Sequence, residues 1–343
     1  MKSSDREWDA GEAEAGSLCY VFVEDGAGFW VVDLPKKTCP MTAPFEVLLY
    51  YKYCQISDPE AYADEHRKMC QELGLKGRIL IAAEGINGTV SGLAGNCAKY
   101  RQALDESPLT AGIAWKIDPS DEHVFPKLSI KVRDEVVTLG LGEEDFSPEE
   151  LTATHLKPAE WRDALKEDNI VLIDARNDYE WEVGRFEGAL LPPVASFRDM
   201  PKWVRDHREE LEGKKILTYC TGGIRCEKFS GFLLKEGLEH VYQLDGGIVT
   251  YGKDPEVKGE GFEGECYVFD ERLTVPVNRT EGARLVSQCV SCGLPSIRYR
   301  NCLWQPCNAQ FIVCQECEEK SGRYCDPICK EVHLMGAAAE FTP

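Results

Sequence analysis

The chain has 343 residues, of which 43% are hydrophobic and 29% are charged, as in ordinary globular domains. This length predicts two or three domains. The formal net charge of −20 disfavours indiscriminate binding to polyanions, so any contact with nucleic acid requires a local basic patch. No apolar run reaches the roughly 18 residues of a membrane span. The acidic N-terminus resembles neither a secretory signal nor a transit peptide, which predicts a cytoplasmic protein and leaves an organellar location open.

Residues 1–43 are predicted to be an acidic extension. Within it, Cys19–Val23 and Phe29–Val32 are two apolar stretches separated by a turn-forming sequence, which indicates a hairpin. We assign this extension no function.

Residues 44–140 are predicted to alternate strands and helices in the order βαββαβ, which is typical of a ferredoxin-like (acylphosphatase-like) domain. Gly85–Gly88 is predicted to be a hairpin turn, and the alternative is a loop whose N–H groups hold a phosphate. A further strand pair is predicted at Leu128–Val132 and Val136–Leu139. Several basic residues fit either an RNA contact or a solvated face: Lys76, Arg78, Lys116, Lys127, Lys131 and Arg133.

Residues 151–255 show a different pattern, in which continuous apolar strands such as Ile170–Asp174 and Lys215–Tyr219 alternate with helices. This pattern predicts an α/β domain with a parallel sheet. The active site of such a sheet is expected at the carboxyl ends of its strands.

The loop after Tyr219 is the main catalytic candidate. Cys220 would face a ring of backbone N–H groups and the positive end of a helix, and both stabilise a thiolate. Two glycines allow the backbone to curl around the sulfur, and Arg225 adds a fixed cation. The remaining cradle residues complete the loop: Thr221, Gly222, Gly223 and Ile224. The alternative is a retained but inactive loop.

Two chemistries use such a cradle, sulfur transfer and phosphoester cleavage. The ring from Cys220 to Arg225 is short, which favours a persulfide over a phosphate. Cys226 follows directly, and is a possible resolving thiol for an oxidised Cys220. The alternative is a small residue that packs on the buried face of the helix.

The same region resembles the rhodanese family. The segments LIDARN at 172–177, YE at 179–180 and GRFEGA at 184–189 are similar to the family's signature, with Arg185 in place of the usual His. LDGGI at 244–248, with Tyr251, matches the family's closing motif. We expect Asp174 and Arg176 to be a buried structural pair rather than catalytic groups.

Residues 285–335 are predicted to form a small cysteine-rich module. Close pairs of cysteines are what tetrahedral zinc requires, so eight thiolates predict two closed, structural zinc sites. The ligands are Cys289, Cys292, Cys302, Cys307, Cys314, Cys317, Cys325 and Cys329. Interleaved and sequential pairings both remain open, and an iron–sulfur cluster or disulfides are the alternatives. Arg298, Tyr299 and Arg300 lie between the first two pairs and Trp304 lies within the second pair, and they suit either RNA stacking or packing around the metal.

Over about residues 45 to 333, the chain resembles the rhodanese-containing tRNA uridine-34 hydroxylases. The resemblance rests on YYKYC at 50–54, GRILIAAEGINGTVSG at 77–92, FPKLSIKVRDEVVTLG at 125–140, the Cys220 loop and the paired cysteines. It implies oxygen-dependent formation of 5-hydroxyuridine at the wobble position, with Cys220 as the catalytic residue, the tRNA anticodon region as the partner and molecular oxygen as the co-substrate. The sequence contains no flavin or nicotinamide motif.

Two other functions remain open at this point. The first is a sulfurtransferase that takes sulfur from a donor onto Cys220 and passes it on. The second is a non-enzymatic scaffold that keeps an inert rhodanese fold.

Overall fold

The computed structural model describes residues 44–335 and the backbone of two strands before them. The chain divides into two compact units, Met1–Pro44 and Phe45–Pro343, which are described separately. In the first unit, β1 (Cys19–Asp25) pairs antiparallel with β2 (Gly28–Leu34), as the hairpin prediction expects. The rest of the predicted 1–43 extension lies outside the described residues.

The second unit opens with a five-stranded sheet in the order β6-β3-β5-β4-β7, with two helices on one face. Its elements are β3 (Phe45–Tyr53), α1 (Pro59–Glu72), β4 (Lys76–Ala82), β5 (Gly85–Leu93), α2 (Ala94–Glu106), β6 (Lys116–Ser120) and β7 (Leu128–Val132). All neighbouring strands are antiparallel except β7, which runs parallel to β4. The first six elements confirm the predicted ferredoxin-like order.

The turn predicted at Gly85–Gly88 is wrong, because these residues belong to β5. The chain instead turns at Ala83 and Glu84. Gly88 is needed for close packing rather than for a turn, since a Cβ there would lie 2.4 Å from the hydroxyl oxygen of Tyr50. The strand predicted at Val136–Leu139 is also wrong, because carboxylates bind its N–H groups: Val136 N donates to Glu84 at 2.7 Å.

The two faces of this sheet have different surroundings because successive side chains of a strand alternate. Leu48 and Tyr50 of β3 pack into the core beneath the helices. Leu49 and Tyr51 therefore point to the opposite face, which we call the open face. This open face meets the next domain.

The next domain contains a parallel sheet in the order β8-β12-β11-β9. Its elements are β8 (Thr154–Leu156), α3 (Pro158–Ala164), β9 (Ile170–Asp174), α4 (Asp178–Trp181), β10 (Gly184–Phe186), α5 (Met200–Asp206), α6 (Arg208–Leu211), β11 (Lys215–Tyr219), α7 (Ile224–Lys235), β12 (Val241–Leu244) and α8 (Gly247–Lys253). Ile216 and Leu217 of β11 pack into two different cores, one on each face of the sheet. This confirms the predicted α/β domain with a parallel sheet, covered on both sides.

The remaining chain adds short strands and two small helices. Its elements are β13 (Phe262–Tyr267), β14 (Thr274–Pro276), β15 (Tyr299–Asn301), β16 (Gln310–Ile312), α9 (Gln315–Ser321) and α10 (Pro327–Leu334). Strand β13 joins β10 and β14, while β15 and β16 form a hairpin. Within the described residues, no helix has both the length and the apolar character needed to cross a bilayer.

Asp174 and Arg176 form the buried structural pair that the sequence predicts. The Arg176 guanidinium donates to both Asp174 oxygens at 2.8 and 2.6 Å, and to the Gly184 carbonyl at 2.6 Å. Both side chains are fully buried. The pair thereby ties the end of β9 to the start of β10.

Candidate active site

The Cys220 loop connects the carboxyl end of β11 to the start of α7. The Cys220 side chain is only 1% exposed, and the Gly223 N–H donates to its sulfur at 3.2 Å. Gly223 has a φ of +101°, which a residue with a Cβ rarely adopts. The start of α8 holds the loop from outside, since Ile248 N donates to the Cys220 carbonyl at 3.0 Å.

The surroundings of Cys220 favour its thiolate. Burial raises the pKa of Cys220, but a hydrogen bond from the Cys226 thiol, the charge of Arg225 and backbone N–H donors outweigh it and lower the pKa to about 6. The pKa of Cys226 is raised, by burial and by the neighbouring Cys220 sulfur. Cys220 is therefore the thiolate of the pair and Cys226 the donor at neutral pH.

Arg225, the fixed cation that the loop sequence predicts, is paired with a buried carboxylate. Its guanidinium binds Glu180 with two hydrogen bonds, of 2.5 and 2.7 Å, and lies 3.4 Å from the Thr221 hydroxyl. Glu180 is fully buried, so its carboxylate balances most of the Arg225 charge. Sequence reasoning placed Glu180 in the rhodanese signature but did not identify it as the partner of Arg225.

The open face of the first sheet packs directly on the Cys220 loop. A Cβ on Gly222 would lie 3.1 Å from Leu49, and a Cβ on Gly223 would lie 2.9 Å from the Tyr51 hydroxyl oxygen. The two glycines therefore leave room for the neighbouring domain as well as for the curl of the loop. The sequence predicted the curl but not the domain contact.

Tyr51 is held by a buried network around Glu227 of α7. The Tyr51 hydroxyl donates to Glu227 at 2.8 Å. His155, Gln243 and Thr152 contact the same carboxylate at 3.0, 2.9 and 2.9 Å. Burial raises the pKa of Glu227, but these hydrogen bonds outweigh it and lower the pKa below its usual value. The network fixes the start of α7, and with it the cradle of Cys220.

Lys116 is a buried base on the same open face. Its side chain is 6% exposed, and its ammonium lies 4.9 Å from the centre of the Tyr51 ring. Burial lowers the pKa of Lys116 to about 8, although the negative charges of Cys220, Asp245 and Glu227 oppose the shift. Its position over Tyr51 places it in the interface between the sheet and the Cys220 loop.

A second lysine forms ion pairs between the two domains. Lys228 of α7 is fully buried and binds Glu84, Glu135 and Asp145 at 2.8, 2.8 and 3.1 Å. Glu84 lies in the turn between β4 and β5, so this turn of the first domain binds the helix that follows the Cys220 loop.

A cavity of about 550 Å³ opens beside Cys220, within the size range of small-ligand sites. The Cys220 loop forms one wall, and the open face of the first sheet forms another. The residues most relevant to function are Leu49, Tyr51, Arg78, Thr89, Ser129, Lys131, Arg133, Arg198, Cys220, Thr221, Gly222 and Phe269. Cys220 thus lines a cavity that both domains share.

The eight C-terminal cysteines form two groups with interleaved pairing. One group contains Cys289, Cys292, Cys314 and Cys317, and the other contains Cys302, Cys307, Cys325 and Cys329. Within each group the sulfur atoms lie within 4.8 Å of one another. Four thiolates at this spacing fit one tetrahedral metal ion per group and leave no position open for substrate.

The arginines beside these cysteines have structural partners. Arg298 and Arg300 both bind Glu318, at 2.8 and 3.0 Å. Tyr299 is buried and donates to the Tyr179 carbonyl at 2.6 Å. Of the two readings left open by the sequence, these contacts favour packing over RNA stacking.

Comparisons with family models divide the chain into three matches. Residues 45–136 match the UPF0176 acylphosphatase like domain, residues 157–254 the rhodanese-like domain, and residues 263–330 the rhodanase C-terminal domain. Among solved structures, the rhodanese-like domain of an Anabaena protein is 22% identical, with a TM-score of 0.27, and the match covers 33% of this chain and 80% of that chain.

Curated relatives match over most of the chain. The tRNA uridine(34) hydroxylase of Shouchella clausii is 54% identical over 84% of this chain and 90% of its own length. The proteins of the same name from Bacillus mycoides and Bacillus pumilus are 52% and 53% identical over 84% of this chain, and the matches cover 90% and 89% of those proteins. The chain is therefore a member of the tRNA uridine(34) hydroxylase family.

Proposed function

We propose that this protein hydroxylates carbon 5 of uridine 34 in tRNA, and that Cys220 is its catalytic residue. The observation that carries the proposal is the buried Cys220 thiolate, with a pKa of about 6, facing a cavity of about 550 Å³. The relatives named for this activity agree with it. Arg225 and the cradle residues Thr221, Gly222, Gly223 and Ile224 would hold the thiolate in place, rather than react.

We further propose that the thiolate activates the base by addition. The Cys220 sulfur bonds to carbon 6 of the uracil, which makes carbon 5 electron-rich. Carbon 5 then takes up molecular oxygen as a hydroperoxide. Two thiols from a low-molecular-weight pool reduce the hydroperoxide, leaving a hydroxyl on carbon 5 and releasing water and a disulfide. Loss of the carbon 5 proton expels the Cys220 thiolate and restores the aromatic ring.

The direct test is mass spectrometry of nucleosides from tRNA incubated in air with the purified protein and a thiol reductant. Wild-type protein is expected to add one oxygen atom to uridine, and Cys220→Ser protein is expected to add none. Full hydroxylation by Cys220→Ser protein would refute the role of Cys220. A matched Cys70→Ser variant, which removes a buried thiol far along the chain in α1, should retain activity.

We propose zinc for the two cysteine groups because each offers four sulfur ligands in a closed set. In this position zinc would stabilise the small C-terminal module without entering the reaction. The β15–β16 hairpin would connect the two sites, since one group takes ligands from before and after it and the other takes Cys302 and Cys307 from between its strands.

Sulfur transfer is the second candidate. The feature that favours it is the short loop between Cys220 and Arg225, whose N–H group at Gly223 suits a single sulfur atom. In this reading Cys226 could act as a resolving thiol. A protein that forms no 5-hydroxyuridine, but carries thiosulfate-derived sulfur on Cys220, would support sulfur transfer instead.

A further inference from the structure

The cavity beside Cys220 has a strongly basic wall in an acidic protein. Arg78, Lys131, Arg133 and Arg198 line it, and we call these four residues the cationic wall. All four are exposed, and no ion pair engages any of them within the described part of the chain. The whole chain carries a net charge of −20, so this concentration of unbalanced positive charge is local.

The acidic groups near the cavity do not cancel the cationic wall. Glu135 also lines the cavity, but it binds Lys228 at 2.8 Å and accepts backbone N–H groups. Arg225, a fifth cation of the lining, is already balanced by Glu180. The four wall residues therefore remain available to an anion.

The geometry of the wall fits a chain of phosphates rather than a single one. Lys131 pairs in register with Leu80 on β4, and Arg78 lies on the same β4 strand. Leu49, which touches the Cys220 loop, lies on β3, three strand spacings from β7. At about 4.8 Å per spacing, the β7 end of the wall lies roughly 14 Å across the sheet from the strand that carries Leu49.

An aromatic side chain stands at the same cavity. Phe269 is 44% exposed, although its ring makes an edge contact with Tyr267 at 5.3 Å between centroids. An exposed phenyl ring beside unpaired cations is typical of a binding site for single-stranded nucleic acid, because bases stack on the ring while phosphates contact the cations.

We propose that the cationic wall binds the phosphates of single-stranded RNA next to the target uridine, and that Phe269 stacks on a neighbouring base. This inference rests on the proposed function and specifies how the substrate is held. The ligand would be an unpaired loop, because a cavity lined on several sides admits splayed-out nucleotides and excludes a rigid duplex. The ferredoxin-like domain would then supply three of the four cations, the chain beyond it Arg198 and Phe269, and the Cys220 loop the chemistry.

The test measures binding of a fluorescent anticodon stem-loop RNA containing uridine 34. Binding is measured on full-length Cys220→Ser protein, so that no turnover occurs, over a series of salt concentrations. Lys131→Ala is expected to lower the salt slope by about 0.7, and the combined Arg78→Ala, Lys131→Ala, Arg133→Ala variant by about 2. The combined variant should also bind at least about tenfold more weakly, and Phe269→Ala about 5- to 160-fold more weakly.

Lys127→Ala is the matched control, because it removes the same charge just before the same strand, from an exposed residue outside the cavity lining. It should leave the affinity and the slope nearly unchanged. If Lys131→Ala and Lys127→Ala behave alike, or if a blunt RNA duplex competes as well as the stem-loop, the inference is overturned.

The two proposals fail separately. If the wild-type protein binds the stem-loop through these residues but forms no 5-hydroxyuridine, the RNA surface stands and the hydroxylase proposal falls. If the wild-type protein hydroxylates tRNA and the combined variant does so with an unchanged KM, the RNA surface falls and the hydroxylase proposal stands.

Discussion

Replacing Cys226 by alanine tests how the Cys220 thiolate is stabilised. The variant removes the thiol that donates to the Cys220 sulfur and leaves the backbone N–H donors and Arg225 in place. A hydrogen bond to a charged group contributes about 1.5–3 kcal/mol. Because one pKa unit corresponds to about 1.4 kcal/mol, we expect the pKa of Cys220 to rise from about 6 to about 7–8.

The assay follows alkylation of Cys220 by iodoacetamide as a function of pH, since only the thiolate reacts. Trypsin cleaves after Lys215 and Arg225, so Cys220 is the single cysteine of the peptide 216–225 and Cys226 falls in the next peptide. Mass spectrometry of that peptide therefore reports Cys220 alone, despite the sixteen cysteines of the chain.

Cys70→Ala is the control, because it removes a buried thiol from the core of the first domain. It should leave the alkylation profile of Cys220 unchanged. An unchanged midpoint near pH 6 in Cys226→Ala protein would refute the hydrogen-bond account and leave Cys226 only the role of resolving thiol or packing residue.

Three further predictions concern stability and metal content. Lys228→Met leaves three carboxylates without their shared cation, so the free energy of unfolding in urea should fall by about 3–5 kcal/mol. The control Lys202→Met removes a lysine from an exposed ion pair and should change that free energy by less than about 1 kcal/mol. Cys302→Ser should lower bound zinc, measured by elemental analysis, from two ions to one per chain. Lys116 has a folded pKa of about 8, lower than in the unfolded chain, so the unfolded state binds more protons between about pH 8 and 10.5. The free energy of unfolding should therefore rise by up to about 3 kcal/mol across that range, and Lys116→Met should lack this rise. The first argument is contradicted if Lys202→Met lowers the free energy of unfolding as much as Lys228→Met does. The second is contradicted if Cys302→Ser protein still binds two zinc ions, and the third if the free energy of unfolding of Lys116→Met rises with pH as in the wild type.

The features that the sequence predicted correctly are local ones. The Asp174–Arg176 pair joins residues two apart, and the Gly223 N–H that donates to the Cys220 sulfur lies three positions away. The order of strands and helices in both domains followed from apolar patterning, which is also a short-range signal. The resemblance to a known family added the domain combination.

The features that the sequence missed depend on contacts distant along the chain. Tyr51 meets Glu227 across 176 positions, and Arg225 meets Glu180 across 45. No local pattern identifies such partners, because each carboxylate is compatible with many cations and hydroxyls. The grouping of the eight C-terminal cysteines was undetermined for the same reason, since their spacing fits both the interleaved and the sequential arrangement.

The errors at Gly85–Gly88 and Val136–Leu139 have a common cause. In both segments a preference of the local sequence was overridden by tertiary contacts. The glycines serve close packing against Tyr50, and the Val136 N–H binds Glu84 instead of a neighbouring strand. The boundaries of the domains at 44–140, 151–255 and 285–335 remain predictions.

The measurement that tests the central claim most directly is hydroxylation of tRNA under oxygen-18 gas, with the modified position located by sequencing of RNase fragments by mass spectrometry. The account predicts one heavy oxygen atom on uridine 34 with wild-type protein and none with Cys220→Ser. Heavy oxygen on uridine 34 with both proteins, or no incorporation with the wild type, would contradict it.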